Sequence, residues 1–168
     1  TEHAISTSAN GAIHVHVVDV DGDGDIDVLS ASNLDDKIAW YENDGSESFT
    51  EHAISTSANG ARFVYAVDIN ADGDMDVLSA SFSDDKIAWY ENDGSESFTE
   101  HAISTSADGA QSVYAVDIDA DGDMDVLSGS GEDHKIAWYE RDGSPIFQPQ
   151  TTEDLQIAVD LWIDDNAT

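Results

Sequence analysis

The feature that most constrains the fold is an internal repeat of 49 residues. Residues 1–49 and 50–98 are identical at 39 of 49 positions, and residues 99–147 follow the same pattern. A period in this range is typical of supersecondary units that bury their apolar faces against one another instead of folding alone. The sequence therefore predicts three similar structural units in residues 1–147.

Each unit reads as four short β-strands separated by turn residues. In the second repeat the first strand is predicted at 63–68, the second at 77–81 and the third at 86–91. The fourth is the opening of the following repeat, at 98–103, after the turn Asn-Asp-Gly-Ser. These segments are rich in β-branched and aromatic residues, and turn residues bound them, as expected of strands.

The third strand of each unit is apolar on both faces. In the second repeat Ile87 and Trp89 alternate with Ala88 and Tyr90, so one pair points to each side of the sheet. Such a sheet must be covered by a neighbour on both sides. Four-stranded sheets stacked at a fixed period favour β-propeller blades. A calcium-binding parallel β-helix is the alternative, but its coils are much shorter than 49 residues.

The predicted fold class is therefore all-β, with three four-stranded antiparallel blades of 49 residues each. Known propellers contain about four to eight blades, so three cannot close a ring by themselves. We expect a partial ring, or a ring that a homo-oligomer completes. Because each repeat opens with its outer strand, residues 2–6 are predicted to pair with residues 135–140 of another chain, or with residues upstream.

Each unit also carries an acidic loop between its first and second strands. Loop 1 is residues 19–27, loop 2 is 68–76 and loop 3 is 117–125, and all three fit D-x-[DN]-x-D-G-x-x-D. Side-chain oxygens at loop positions 1, 3, 5 and 9, with the carbonyl of position 7, are expected to converge on one point. Glycine at position 6 permits the sharp bend. The predicted metal-site residues are Asp19, Asp21, Asp23, Asp25, Asp27, Asp68, Asn70, Asp72, Asp74, Asp76, Asp117, Asp119, Asp121, Asp123 and Asp125.

The chemistry of these loops favours calcium, at about one ion per repeat and three per chain. Calcium takes six to eight hard oxygens in a flexible cage, whereas magnesium demands a tight octahedron. An EF-hand is excluded because position 12 is serine in all three loops and the flanks are strands. The alternative is a solvated Asp-Gly hairpin turn without metal. Loop 2 has Asn70 at position 3, where the others have aspartate, and is predicted to bind calcium most weakly.

The charge balance limits the partners. The chain has 37 Asp and Glu residues against 5 Lys and Arg, a formal charge of −32. Such a surface repels nucleic acid and anionic membranes and attracts cations. Cysteine is absent, which removes thiolate metal sites, and no apolar run approaches the roughly 18 residues of a membrane span. The expected partners are calcium and a protein or glycan ligand, with no nucleic acid and no membrane span.

Differences between the repeats cluster before the first strand, around residues 13–16, and between the second and third strands, around residues 33–34. In an up-and-down blade these connections lie on one face, opposite the acidic loops, and that face is the candidate for partner binding. Drift at unconstrained positions explains the variation equally well. His14 and His16 share one face of a strand, but no further zinc ligands accompany them.

Two repeated residue types are interpreted as structural. A histidine recurs in the outer strand of every repeat, and a tryptophan recurs in the third strand. Packing between blades is the expected role of the tryptophans, with carbohydrate stacking as the alternative. These residues are His3, His52, His101, Trp40, Trp89 and Trp138.

Taken together, the motif V-D-[IV]-[DN]-[GA]-D-G-D-[IM]-D-V-L-S followed by K-I-A-W-Y-E resembles the FG-GAP or VCBS repeat of integrin-like β-propellers, over residues 1–147. The resemblance implies that the acidic loop joins the two innermost strands and holds calcium. It also implies an extracellular or cell-surface setting. Family propellers usually have seven blades, whereas this chain has three repeats.

The resemblance implies a calcium-binding module of a secreted or cell-surface multidomain protein that mediates adhesion or protein interaction. The alternative is a carbohydrate-binding or accessory module of a polysaccharide-active enzyme. The chain itself is not expected to be an enzyme, because near-identical repeats offer no asymmetric catalytic constellation.

Residues 148–168 depart from the repeat. Residues 148–150 read as a linker, and a capping-box-like start at 151–154 opens an amphipathic run that predicts a short helix. The segment 153–162 is similar to the helix that precedes BspA-like leucine-rich repeats in bacterial surface proteins. The similarity implies the start of another domain.

Overall fold

A computed structural model describes residues 1–143, and every regular element in that range is a β-strand. The sheets are antiparallel, with strand orders β1-β2-β3-β4 (sheet 1), β5-β6-β7-β8 (sheet 2) and β11-β10-β9 (sheet 3). The strands are β1 Ala12–Val18, β2 Asp27–Ser32, β3 Lys37–Asn43, β4 Phe49–Ser55, β5 Ala61–Val67, β6 Asp76–Ser81, β7 Lys86–Asn92, β8 Phe98–Ser104, β9 Ala110–Val116, β10 Asp125–Ser130 and β11 Lys135–Tyr139.

The sheets are offset from the sequence repeats by one strand. The outer strand of sheet 1 is β4, which is the opening of the second repeat, and β8 completes sheet 2 in the same way. In sheet 1, Trp40 of β3 pairs with His52 of β4, and Trp89 pairs with His101 in sheet 2. The four predicted strands of the second repeat are confirmed, with ends that differ by a few residues.

Sheet 2 is covered on both faces, as its alternating apolar pattern predicts. Ala88 and Tyr90 lie in the core layer shared with sheet 1, which includes Trp40. Ile87 and Trp89 lie in the layer shared with sheet 3. All four of these sheet 2 side chains are at most 2% exposed. The repeats therefore stack through two layers of buried apolar side chains, which confirms the expected face-to-face arrangement.

The connections divide between the two ends of the sheets. The acidic loops share one end with the turns after β3 and β7, because Gly45 and Gly94 lie against the side chains of Asp25 and Asp74. The turns after β2 and β6 share the other end with the entries to the next sheet. The amide of Ala58, for example, donates to the carbonyl of Asp36 at 3.0 Å.

One sequence-based placement is wrong. The variable residues near 13–16 lie inside β1 instead of before it, because the strand starts at Ala12, directly after a Gly11 turn with φ of 70°. As a result, variable side chains of adjacent inner strands touch. The His14 and Phe63 rings stack at 3.8 Å between centroids, and Tyr65 lies 4.8 Å from Tyr114.

Two further expectations concern residues 148–168 and membrane-spanning helices. The linker and helix predicted in residues 148–168, with their BspA-like resemblance, lie outside the described residues. Nothing in residues 1–143 forms a helix of the length and hydropathy that a membrane span requires.

Candidate metal centres in the acidic loops

Each acidic loop bends at the glycine in position 6, between the two innermost strands of its sheet. Gly24, Gly73 and Gly122 have φ near 100°, a region that side-chain-bearing residues rarely adopt. The expected need for glycine at this position is confirmed. Position 4 of each loop also has positive φ. In loops 2 and 3 this position is occupied by Ala71 and Ala120, with φ of 62° and 65°.

Backbone amides inside the loop point at its carboxylates. In loop 1 the Asp19 carboxylate accepts from the amides of Gly22 at 2.8 Å and Gly24 at 3.0 Å. Asp21 accepts from Asp23, and Asp23 accepts from the amide of Asp25. Such local side chain to backbone bonds shape the turn without any partner from elsewhere in the chain. The sequence thus encodes the loop conformation locally.

Loops 1 and 3 each gather three carboxylates. Oxygens of Asp19, Asp21 and Asp27 lie within 4.8 Å of one another, and the same positions of loop 3 form an equivalent group. Two oxygens that bind one calcium at 2.3–2.6 Å can be at most about 5 Å apart, so both groups have calcium-compatible spacing. The loop 3 residues are Asp117, Asp119 and Asp125.

The aspartates at position 9 have a second role that sequence reasoning missed. Asp27 is fully buried, and its two oxygens accept from the amides of Val20 at 3.0 Å and Asn43 at 2.8 Å. The carboxylate therefore ties the start of the loop to the end of β3. Asp76 accepts the same pair of hydrogen bonds, from the backbone amides of Ile69 and Asn92. Asp125 accepts from the backbone amides of Ile118 and Arg141.

Burial and mutual repulsion raise pKa values in these loops. The pKa of Asp21 is raised first by desolvation and then by the charges of Asp23, Asp27 and Asp19. The pKa of Asp119 is raised in the same way. For Asp76, burial raises the pKa to about 6, although the amides of Asn92 and Ile69 oppose the shift. Without a cation, the charged state of each loop is therefore penalised.

Loop 2 differs because Asn70 replaces the aspartate at position 3, so a group of three carboxylates does not form at positions 1, 3 and 9. The Asn70 amide nitrogen donates to the Asp72 carboxylate at 2.8 Å and reaches Glu91 at 3.5 Å. Part of the negative charge in loop 2 is thus balanced by an internal donor.

The position 7 side chains face away from the carboxylate groups. Those of Asp25 and Asp74 lie against the glycines of the neighbouring turns, where a side chain would collide with them. Asp123 approaches the Arg141 guanidinium, which also donates to the carbonyl of Ile69 at 3.0 Å. For position 7 this orientation leaves the backbone carbonyl as the candidate ligand. The position 5 aspartates likewise lie outside the two groups.

Two of the three repeated histidines, in sheets 1 and 2, lie in an outer strand as predicted, whereas His3 lies in no strand. The His52 ring stacks on Trp40 at 4.6 Å, and its Nε2 lies 2.7 Å from Glu42. His101 repeats this arrangement with Trp89. These contacts join the outer two strands of sheets 1 and 2, which supports the structural interpretation of these histidines and tryptophans.

Comparisons with known proteins agree with this architecture. The family of FG-GAP-like repeats matches residues 19–79 and 68–128, and the chain belongs to that family. The resemblance drawn from the sequence is therefore confirmed. A search of curated proteins returned no match.

A solved structure has a similar fold. Its title describes the specific recognition of non-reducing terminal N-acetylglucosamine by an Agrocybe aegerita lectin. The TM-score is 0.57 at 16% sequence identity, and the match covers 82% of this chain but only 37% of that structure's chain. The present chain thus spans little more than a third of the length of the protein it resembles.

Proposed function

We propose that this chain is a calcium-binding β-propeller module of an extracellular or cell-surface protein, in which each acidic loop holds one calcium ion. The observation that carries the proposal is the convergence of three carboxylates at calcium-compatible spacing in loops 1 and 3. The residues that would hold the ion are the aspartates, or Asn70, at positions 1, 3 and 9. The position 5 aspartates, which lie outside the three-carboxylate groups of loops 1 and 3, would join them as the loop spacing predicts. The carbonyls of Asp25, Asp74 and Asp123 would add further oxygens.

The residues present fit a hard cation. All side-chain ligands of loops 1 and 3 are carboxylate oxygens, the type calcium prefers. Asp117 Oδ1 is buried and accepts no hydrogen bond within the described residues, although an unsatisfied buried oxygen is costly. The formal charge of −32 also favours cation binding by the whole molecule.

Calcium would stabilise the folded conformation of each loop. A bound cation would offset the desolvation and the mutual repulsion that raise the pKa values of Asp21 and Asp119, and would fix the loop between the first two strands of its sheet. A site filled at 100 times its Kd stabilises the folded state by about 2.7 kcal/mol. The contribution of three such sites would be comparable to the whole free energy of unfolding of a typical domain. Extracellular calcium is abundant enough to fill sites of this kind.

The proposed role is adhesion or protein interaction without catalysis. The end of the sheets opposite the acidic loops carries residues that differ between repeats, including Leu34 and Phe82, and Leu34 is 69% exposed. Arg62 also stacks over the Phe82 ring at 4.2 Å there. Repeat proteins commonly use one variable surface on a constant scaffold to bind a partner.

Glycan binding is the second candidate, in a carbohydrate-binding or accessory module of a polysaccharide-active protein. It rests on the contacting rings of His16, Tyr65 and Tyr114 along the inner strands, because exposed aromatic rings stack on sugars. The lectin named in the comparison motivates including terminal N-acetylglucosamine among the probes. A glycan array run with and without Tyr114→Ala separates this candidate from protein adhesion.

Thermal unfolding tests the calcium proposal. We expect the melting temperature to fall by roughly 10 °C or more when calcium is replaced by a chelator, and magnesium to restore little of it. Asp119→Asn should reduce the calcium-dependent part while leaving the melting temperature in chelator unchanged or higher. Identical melting with calcium and with chelator would refute the proposal.

A further inference from the structure

The repeats differ at the residue that precedes the Asp-Gly-Ser turn after the third strand. Repeats 1 and 2 have Asn43 and Asn92 there, the last residues of β3 and β7, whereas repeat 3 has Arg141. Arg141 is only 8% exposed, and it is one of just five Lys and Arg residues in a chain with a formal charge of −32. A charged side chain is rarely buried unless it is paired, so the contacts of Arg141 should reveal its role.

The two asparagines form hydrogen bonds within their own sheets. The Nδ2 of Asn43 donates to the carbonyl of Ile26 at 3.1 Å, and the Nδ2 of Asn92 donates to the carbonyl of Met75 at 3.2 Å. Ile26 and Met75 are position 8 of loops 1 and 2. Each asparagine therefore fixes the end of the acidic loop in its own sheet.

Arg141 instead contacts two different loops. Its backbone amide donates to the Asp125 carboxylate at 2.9 Å, and its Nη1 lies 3.4 Å from the Asp123 carboxylate, so loop 3 holds this residue at positions 9 and 7. The same Nη1 donates to the carbonyl of Ile69 at 3.0 Å. Ile69 is position 2 of loop 2 and lies in the core layer between sheets 2 and 3. The side chain thus links the two loops across that layer.

Ile69 is held on both of its backbone polar groups. Its carbonyl accepts from Arg141, and its amide donates to the Asp76 carboxylate of loop 2 at 3.1 Å. Its neighbours in the chain are Asp68 and Asn70, the candidate ligands at positions 1 and 3. A contact that fixes the backbone of Ile69 therefore also restricts both of these residues.

We propose that Arg141 is a positioning residue that couples loops 2 and 3, so that a cation bound in either loop raises the affinity of the other. The inference rests on the proposed calcium sites. With loop 3 occupied, Asp123 and Asp125 are fixed, and these residues hold Arg141. Arg141 in turn fixes Ile69, so loop 2 loses less conformational freedom when it binds its own ion. Such coupling is reciprocal by linkage.

The positive charge of Arg141 opposes this effect only weakly. The guanidinium is paired with the Asp123 carboxylate at 3.4 Å, and that side chain faces away from the carboxylate group of loop 3. The opposite charges of a close pair largely cancel at longer range. In loop 2 the guanidinium contacts a backbone carbonyl, so it removes no side-chain ligand from that site.

The junction between sheets 1 and 2 is an internal control. Val20 is the counterpart of Ile69 there, and it is similarly buried, at 4% exposed. The counterpart of Arg141 is Asn92, whose amide group bonds to its own loop. Loops 1 and 2 should therefore bind cations independently of each other, whereas loops 2 and 3 should not.

Calcium titration followed by amide NMR measures each loop separately. The amides of Gly24, Gly73 and Gly122 each donate to the position 1 aspartate of their own loop, so their resonances report loops 1, 2 and 3. In the parent chain, disabling loop 3 with Asp117→Asn and Asp119→Asn together should weaken loop 2 about fivefold. Disabling loop 2 in the same way should leave loop 1 unchanged. This comparison of the two junctions requires no change at Arg141.

Arg141→Asn assigns the coupling to the side chain, and asparagine is the residue with which repeats 1 and 2 fold at this position. In this variant, disabling loop 3 should change the affinity of loop 2 by less than about twofold. Asn92→Ala is the matched control. It removes a bond to loop 2 and should weaken that loop directly, but disabling loop 3 should still cost about fivefold.

Hydrogen exchange in chelator gives a readout that needs no metal. Arg141→Asn should speed exchange of the Ile69 amide about fivefold, because the peptide loses one of its two restraints, and should leave the Val20 amide unchanged. Unchanged exchange at Ile69 would show that the contact does not restrain loop 2, which contradicts the proposal.

The possible failures are distinguishable. If calcium shifts the glycine resonances but disabling loop 3 leaves loop 2 unaffected in the parent chain, the coupling is refuted and the calcium sites stand. An equal loss in the parent and in Arg141→Asn would refute the role of this side chain. Glycine resonances that do not move up to millimolar calcium would overturn both the coupling and the proposed function.

Discussion

Loops 1 and 3 place an aspartate at position 3, whereas loop 2 places Asn70 there. The three loops share one feature of the scaffold, since the position 9 carboxylate accepts two backbone amides in each of them. In loop 1 the third carboxylate adds repulsion, while in loop 2 the Asn70 amide donates to Asp72. The comparison indicates that hydrogen bonds from backbone amides determine the conformation of a loop. The residue at position 3 determines how much negative charge the loop presents to a cation.

The largest expected effect comes from removing the shared part of the scaffold. Asp76→Ala and Asp125→Ala each leave two inward-facing amides without their acceptor, so each should lower the free energy of unfolding by about 3 kcal/mol in chelator. In calcium the Asp125 variant should lose more, because loop 3 has the full carboxylate set. Urea denaturation measures both differences, and a loss below about 1 kcal/mol would show that the amides are satisfied otherwise.

The pH dependence of stability should be the next largest effect. The pKa of Asp76 is raised to about 6 by burial, so the folded state holds this proton more tightly than the unfolded state. In chelator, the contribution of Asp76 to stability should therefore be fully present below the unfolded pKa, near 4, and should be lost as pH rises through about 6.

The proposed calcium sites require the charged form of the loop, so the stabilising effect of calcium should increase over the same pH interval. Melting temperatures from about pH 5 to about pH 7, with and without chelator, measure the two trends. Asp76→Asn should flatten the loop 2 contribution in chelator and serves as the control against general charge repulsion. An identical pH dependence of the chelated parent protein and of the chelated Asp76→Asn variant would contradict this account.

Converting loop 2 into the type of loops 1 and 3 sharpens the comparison. Asn70→Asp should raise the calcium affinity of loop 2 about tenfold, and should lower stability in chelator by about 1 kcal/mol through added repulsion. The reverse substitution in loop 3, Asp119→Asn, should do the opposite on both counts. Calorimetry measures the change in calcium affinity, and thermal melting in chelator measures the change in stability. Equal calcium affinities of loop 2 before and after Asn70→Asp would show that position 3 does not determine the affinity.

The smallest effect concerns position 4. Ala71 has φ of 62°, where an L-residue is strained, whereas loop 1 has Gly22 there. Ala71→Gly should stabilise the protein by about 0.5–1 kcal/mol, and Gly22→Ala should destabilise it by a similar amount, with or without calcium. Urea titration in both conditions checks the sign, and a change that appears only in calcium would assign position 4 to metal binding instead.

Much of the fold was predictable because its signals are local and threefold repeated. The alternation of Ile87 and Trp89 with Ala88 and Tyr90 predicted a sheet covered on both faces, and the two core layers confirm it. The bend at Gly73 followed from its residue type. These features depend on neighbours within a few residues, which a sequence displays directly.

What the sequence did not reveal depends on distant backbone atoms. The carboxylate of Asp76 accepts the amide of Asn92, 16 residues away, and any residue except proline supplies such an amide. For that reason Asp76 was interpreted only as a candidate ligand. The position of His14 inside β1 was missed for a similar reason, since the strand start depends on the Gly11 turn and on pairing with β2. The metal-site residues themselves remain predictions.

Calorimetric titration of the chelator-treated protein with calcium tests the central claim most directly. The account predicts about three ions per chain, two bound more tightly and one, assigned by Asn70→Asp to loop 2, more weakly. Titration to millimolar calcium without binding heat, together with an unchanged folded state, would contradict it.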